Sequence, residues 1–296
     1  MNALPADLPS FLPADLPEQV ARALREDVGG ADVTAGLVPA RQRVRGRLIT
    51  REPMTLCGTA WVEETFRQLD PHIVLNWQVE EGAQAAKDET LLLLEGLARP
   101  ILTGERTALN FLQLLSGTAS EARRYVDAVA GTGCTILDTR KTIPGLRTAQ
   151  KYAVRCGGAR NHRMGLFDMV LIKENHIAAA GSLTRAIEAA RRAAPRLQVE
   201  SEVESLTQLE ESLAARPDII LLDNFALPDL RAAVVRNRQL GSRVKLEASG
   251  GASLETVRAI AETGVDFISV GAITKHVRAI DLSMRLEFTA SAATAP

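Results

Sequence analysis

The residues best suited to chemistry lie in two basic segments, DTRKTIPGLR at 138–147 and GGARNHRMG at 157–165. They supply Arg140, Lys141, His162 and Arg163, and Arg106 upstream with Lys173 downstream extends the set. Net charge is only −1, from 35 Lys+Arg against 36 Asp+Glu, so this positive charge is a local concentration and not part of a basic surface. Singly, each is an ordinary exposed loop residue. Together they read differently, because Arg140 and Lys141 precede Pro144-Gly145 while His162 and Arg163 follow Gly157-Gly158, which places both pairs on loops. Arginine forks onto carboxylates and phosphates and lysine supplies a compact charge. A small polyanion is the expected ligand.

Acids and glycines complement that set. Glu202 and Asp223 fall at the ends of neighbouring expected strands, a placement suited to a magnesium ion or sugar hydroxyls. Salt bridges to the nearby cations are the structural alternative. Glu200 and Glu204 share the facing of Glu202, so alternation does not say which acid is functional, and Glu247 is more ambiguous still. Ser249-Gly250-Gly251 and Val270-Gly271-Ala272 each lie between a strand and an expected helix, where exposed N–H groups suit a phosphate. Glycine in a tight turn would look the same. No GxxxxGK[ST] or GxGxxG element is present, nor a nucleophile elbow or a histidine pair at zinc spacing. Cys156 reads as a buried cysteine more readily than as a reactive thiol.

These residues need a frame. Apolar positions Val20, Ala23 and Leu24 predict a helix over about 17–27, stopped by Gly29-Gly30. RVRGRLITREPMTLCGTA predicts two strands about Glu52-Pro53, a helix follows over about 60–69, and HIVLNWQVEEG and ETLLLLEG predict further strands. ERTALNFLQLLSG begins a helix on which Arg106, Asn110 and Gln113 form a polar stripe. From Gly133 onward, six short apolar strands are expected at 135–137, 169–172, 198–203, 218–222, 244–248 and 267–270. Helices at about 182–194, 205–215, 228–239 and 253–263 separate the later ones, which implies parallel pairing. Asp138, Lys173, Glu202, Asp223, Glu247 and Gly271 then end successive strands, as at the active-site face of a barrel, although six units fall short of eight. DLSMRLEF alternates strictly and is expected to return as a strand to the first domain.

Composition narrows the function classes. Apolar residues make up 46% and charged residues 24%, ordinary globular usage. Near-zero net charge argues against nucleic acid or an anionic membrane as partner. Cys57, Cys134 and Cys156 form no CxxC pair, so reduced thiols in a cytoplasmic setting are expected. The opening MNALPADLPSFLPADLP shows no leader pattern, and no run approaches a membrane span.

The run ILDTRKTIPGLRTAQKYAVRCGGARNHRMGLFDMVLIKENHI resembles the signature of the quinolinate phosphoribosyltransferases. The resemblance continues through ERTALNFLQLLSG, EVE, IILLDN, LEASGG and TGVDFISVGAIT, covering about residues 18–285. It implies an α/β protein with an N-terminal α/β sandwich, residues 1–115 completed by 276–296, and an atypical, incomplete α/β barrel of about six parallel strands over 116–275. It implies decarboxylating phosphoribosyl transfer from 5-phosphoribosyl 1-pyrophosphate to quinolinate, with magnesium and no organic cofactor, in a homodimer whose partner chain donates Arg106. Arg140, His162, Arg163 and Lys173 would then hold the quinolinate carboxylates, with Thr139 beside them and Lys141 at the pyrophosphate. Glu202 and Asp223 would take ribose hydroxyls and magnesium, and the loops at Ser249, Gly250 and Gly251 and at Val270, Gly271 and Ala272 the 5-phosphate. Lys141, Lys173, Glu202 and Asp223 would carry catalysis. Ala159 and Glu174 depart from the family pattern without displacing a matched residue. A transferase for another heterocyclic acid, a phosphate-binding barrel lyase or isomerase, and a non-catalytic binding module remain the alternatives.

Overall fold

The computed structural model describes residues 11–241 and 244–289, so most of the proline-rich opening lies outside the described residues. The chain divides into two compact units. One takes the described residues up to Glu121, then Thr148–Gly158 and the chain from Val277; the other takes Ala122–Arg147 and Ala159–His276.

The first unit opens with α1 (Leu16–Val28), which buries Leu16, Val20 and Leu24 and stops at Gly29, where φ is +55°. β1 (Arg43–Thr50) carries the alternation read from its sequence: Val44, Gly46 and Leu48 are buried and the arginines are exposed. Gly46 is required there, because a Cβ would come within 2.8 Å of both Leu94 and Leu286. β2 (Met54–Thr55), α2 (Thr59–Leu69), β3 (Val74–Trp77), β4 (Gln84–Ala85) and β5 (Thr90–Leu97) follow. α3 (Ala98–Ala128) then starts a full turn and more before the expected point at Glu105.

α4 (Arg147–Cys156) was not expected as a helix. It buries Ala149, Tyr152, Ala153 and Cys156 at helical spacing, but Lys151 and Gln150 are buried with them and obscure the apolar face in the sequence. Trp61 of α2 packs against Tyr152 with ring centroids 5.5 Å apart, and its indole N–H donates to Gln19 of α1 at 3.0 Å. Gln19 in turn donates to Thr148 at 2.8 Å, so three helices are tied by polar contacts that pay their own desolvation.

In the second unit β6 (Thr135–Leu137), β7 (Val170–Ile172), β8 (Val199–Val203), β9 (Ile219–Asp223), β10 (Lys245–Ser249) and β11 (Phe267–Ser269) form one parallel sheet. Between them run α5 (Glu174–Ala180), α6 (Leu183–Ala193), α7 (Leu206–Ala215), α8 (Leu227–Gln239), α9 (Val257–Ala261) and, after β11, α10 (Ala272–Lys275). Strand order is β6-β11-β10-β9-β8-β7. First strand beside last, with every other strand beside its successor, is the order of a barrel with its seam between β6 and β7. A doubly wound sheet would instead reverse direction at an interior switch point. Arg160 forms an isolated parallel bridge with Leu137, occupying the seam side of β6.

The helix expected over 253–263 is corrected to five residues, Val257–Ala261. Ser253 and Thr256 bond to one another instead, the Ser253 N–H donating to Thr256 Oγ1 at 2.9 Å, and this local turn competes with helix initiation. Finally β12 (Leu282–Phe288) pairs antiparallel with β1, giving the first unit a sheet of order β12-β1-β5-β3.

Candidate active site

The second unit contains a cleft of about 480 Å³ at the C-terminal ends of its parallel strands, the face on which barrels carry chemistry. Thr139, Arg140, Lys141, His162, Arg163, Lys173, Glu202, Asp223, Ser249 and Gly250 line it together, with Asn224 and Glu247. Residues spread over more than a hundred positions thus meet, most of them at or just beyond the end of a strand and His162 and Arg163 from the loop between α4 and β7.

The two basic loops are tied to each other and to β6. Buried Asp138 accepts from Asn161 Nδ2 at 2.7 Å and from the His162 N–H at 2.8 Å, and the Asp138 N–H donates to Arg160 O at 3.1 Å. Arg147 spans both loops: Nε donates to Thr142 Oγ1 at 3.1 Å, Nη1 to Met164 O at 3.3 Å and Nη2 to Arg140 O at 3.5 Å. Asp168 closes the second loop by accepting from the N–H groups of Met164 and Gly165. Arg147 and Asp138 are therefore positioning residues. Sequence reasoning put Asp138 at a strand end on the active-site face and gave Arg147 no role, since only their contacts reveal what they hold.

Arg140 keeps a buried Nε without a hydrogen-bond partner among the described residues. Arg163 lies below the usual arginine range because of burial and the adjacent Arg140 charge, partly offset by Glu200 and Asp168. Two guanidinium groups near enough to perturb each other make a site for a ligand with more than one negative charge. Lys173 Nζ lies 2.6 Å from Glu202 Oε2.

Structure separates the three acids of β8 and its exit. Glu200 is fully buried, Glu202 is half-buried in the cleft wall, and Glu204 is exposed. They share a facing but stand at successive heights along the strand, from barrel interior to rim. Oxygens of Glu202, Glu204 and Asp223 lie within 4.8 Å of one another, an all-oxygen donor set that fits a hard divalent cation such as magnesium.

His162 joins the second basic loop to the buried acids. Its Nδ1 accepts the Arg163 N–H at 2.7 Å, and its Nε2 lies 2.9 Å from Glu200 Oε2. Glu247, also fully buried, is pushed up to about 8, first by burial and then by the Glu200 charge, with His162 and Ser269 opposing.

The glycine loops also sort themselves. Ser249 and Gly250 line the cleft, with Gly250 at φ +92° and a Cβ there colliding with the Asn224 side chain. Neither loop opens a long helix: α9 starts six residues beyond Gly251, and α10 has four residues. Val270 is buried and its N–H donates to Leu137 O at 2.9 Å, whereas Gly271 lies beside Lys141 and Thr139. Asn224, at φ +55°, is a cleft residue that sequence reasoning missed; an Asn directly after a strand-end Asp is the signal that would have found it. Arg106 stands exposed on α3, in the first unit.

Residues 32–116 match the family model for the N-terminal domain of quinolinate phosphoribosyl transferase, and residues 118–285 that for its C-terminal domain. Among curated proteins, a nicotinate-nucleotide pyrophosphorylase [carboxylating] of Mycobacterium leprae is 46% identical over 91% of this chain and 96% of its own length. A quinolinate phosphoribosyltransferase [decarboxylating] of Nicotiana tabacum is 37% identical over 90% of this chain and 80% of its own. Among solved structures, the nicotinate-nucleotide pyrophosphorylase of Francisella tularensis aligns at a TM-score of 0.89 and 45% identity, covering 97% of this chain and 98% of that one. With both domain models matched in order along one chain and the cleft built from the same run of residues, the chain belongs to the quinolinate phosphoribosyltransferase family.

Proposed function

We propose that this chain transfers the phosphoribosyl group of 5-phosphoribosyl 1-pyrophosphate to quinolinate with loss of carbon dioxide, giving nicotinate mononucleotide and pyrophosphate. The observation that carries the reading is the meeting of Arg140, Arg163 and Lys173 with Glu202 and Asp223 in one cleft, in a chain whose relatives bear the names of this activity. Cations for a dicarboxylate and acids for a sugar and its metal then face one reaction centre.

Arg140 and Arg163 would grip the carboxylates and fix the ring, and Lys173 adds a point charge steadied by Glu202. Glu202 and Asp223 would hold ribose hydroxyls and magnesium, which when bound neutralises charge on the departing pyrophosphate. Lys141, beside Gly271, is set to meet the same pyrophosphate. The pyridine nitrogen uses its own lone pair to form the N–C bond as the C–O bond to pyrophosphate breaks, so no general base is needed. When the adjacent carboxylate departs as carbon dioxide, the electron pair of the broken C–C bond stays on the ring carbon, stabilised by the neighbouring cationic nitrogen, and a proton from solvent adds to that carbon. The protein's contribution is orientation and charge.

The same reading makes the enzyme a cytoplasmic homodimer in which Arg106 enters the partner's site. Exposure of Arg106 and Asn110 on α3 supports such a donation, and no helix among the described residues is long and apolar enough to cross a membrane. The purified protein with magnesium is expected to release carbon dioxide from quinolinate only when phosphoribosyl pyrophosphate is added. A folded protein that releases none, or that instead converts a monocarboxylate such as nicotinate, would overturn the assignment.

A further inference from the structure

At one side of the cleft, where His162 and Glu247 form part of the lining, stands a group of side chains to which the proposed reaction assigns no step. Glu200 on β8 and Glu247 on β10 are both fully buried, and all four of their carboxylate oxygens lack a hydrogen-bond partner among the described residues. His162 stands against them, with Nε2 2.9 Å from Glu200 Oε2 and 3.6 Å from Glu247 Oε2. One ligand atom from each of the three lies within 4.8 Å of the others.

Buried acids around an imidazole have two physical readings, a metal cation or protons. A metal would need the Nε2 lone pair, and Nδ1 would then have to carry the ring proton. Nδ1 is instead the acceptor for the Arg163 N–H at 2.7 Å, which leaves the proton on Nε2. Arg140 and Arg163 nearby further disfavour a second cation. The Nδ1 contact therefore favours a proton over a metal on Nε2.

The consequence concerns the loop that carries Arg163. His162 is pinned from two sides: its N–H donates to Asp138 at 2.8 Å, and its ring bridges Glu200 and the Arg163 backbone. We propose that Glu200 is a positioning residue which holds His162 as the Nε2–H tautomer, so that Nδ1 anchors the Arg163 backbone and presets the guanidinium that meets a substrate carboxylate. Glu200 has no exposure of its own, and it acts through His162 and Arg163. This rests on the dicarboxylate reading of the cleft, but the tautomer does not.

Nitrogen-15 spectra of the imidazoles, assigned with a His162→Gln variant among the four histidines, test the tautomer directly. Wild-type protein should show His162 neutral with Nε2 protonated; an Nδ1–H or doubly protonated ring overturns the proposal whether or not quinolinate is a substrate. Kinetics test the positioning. Glu200→Ala should raise KM for quinolinate by about tenfold while KM for phosphoribosyl pyrophosphate stays within about twofold, and Glu200→Gln, which keeps an acceptor oxygen, should recover most of the loss. An unchanged quinolinate KM in folded Glu200→Ala, or an equal rise for both substrates, would contradict it. If Glu200→Ala does not fold, Glu200→Gln decides alone: a tautomer different from wild type in this variant also overturns the proposal.

Discussion

Lys173 Nζ lies 2.6 Å from Glu202 Oε2, a bridge between the ends of adjacent parallel strands β7 and β8. In the proposed reaction one partner would serve the dicarboxylate half of the cleft and the other the phosphoribosyl half. Since the lysine side chain is 48% exposed, the pair contributes little to stability. Lys173→Ala should accordingly shift the melting temperature by no more than about 2 °C while lowering kcat/KM for quinolinate by about a hundredfold. Thermal melts and steady-state kinetics on one preparation check both halves of that statement.

Arg147 joins the two basic loops through three donors. Removing it leaves Arg140 and Arg163 in place but loosens their spacing. Arg147→Ala is expected to raise the quinolinate KM by about tenfold, and Arg147→Lys to restore little, because a single ammonium cannot reproduce a planar fork. Titration calorimetry with quinolinate gives the binding change independently of turnover.

Glu247 predicts a pH dependence of stability. Its folded-state value, about 8, lies above that of an unfolded carboxyl group, so the native protein retains a proton that the unfolded chain releases. Stability from this group is full below the ordinary carboxylate range and declines as pH rises toward 8. Melting temperature should fall between about pH 5 and pH 8, and Glu247→Gln should flatten that slope. An equal slope in the variant would assign the dependence elsewhere.

Gly117 on α3 has no room for a side chain, since a Cβ there would collide with the backbone carbonyl of Arg278. Backbone cannot swing aside as a side-chain tip can. Gly117→Ala should destabilise by about 1–3 kcal/mol, measured by urea denaturation.

Arg106 tests the shared-site proposal. Mixing Arg106→Ala chains with Arg163→Ala chains should restore some activity, because hybrid dimers would hold one site with both arginines. Verified subunit exchange with no recovery would place Arg106 in its own chain's chemistry or in none.

Much of this protein was legible from residue type and spacing. All six parallel strands of the second unit fall within a residue or two of their expected bounds, because short apolar runs between turns have few alternatives. The strand-end cations and acids were legible for the same reason: a side chain that terminates a parallel strand has one face to join. Three features were not. Barrel and open sheet share one alternating pattern, and only the pairing of β6 with β11 separates them. Glu200, Glu202 and Glu204 share one facing, so depth along the barrel axis, a tertiary quantity, decides which is buried and which meets the cleft. The contacts of the His162 ring were not legible either, because its neighbours, Glu200 and the Arg163 backbone, converge only when the strands close. Sequence determines which groups arrive at the site; the field each one meets there depends on the packing.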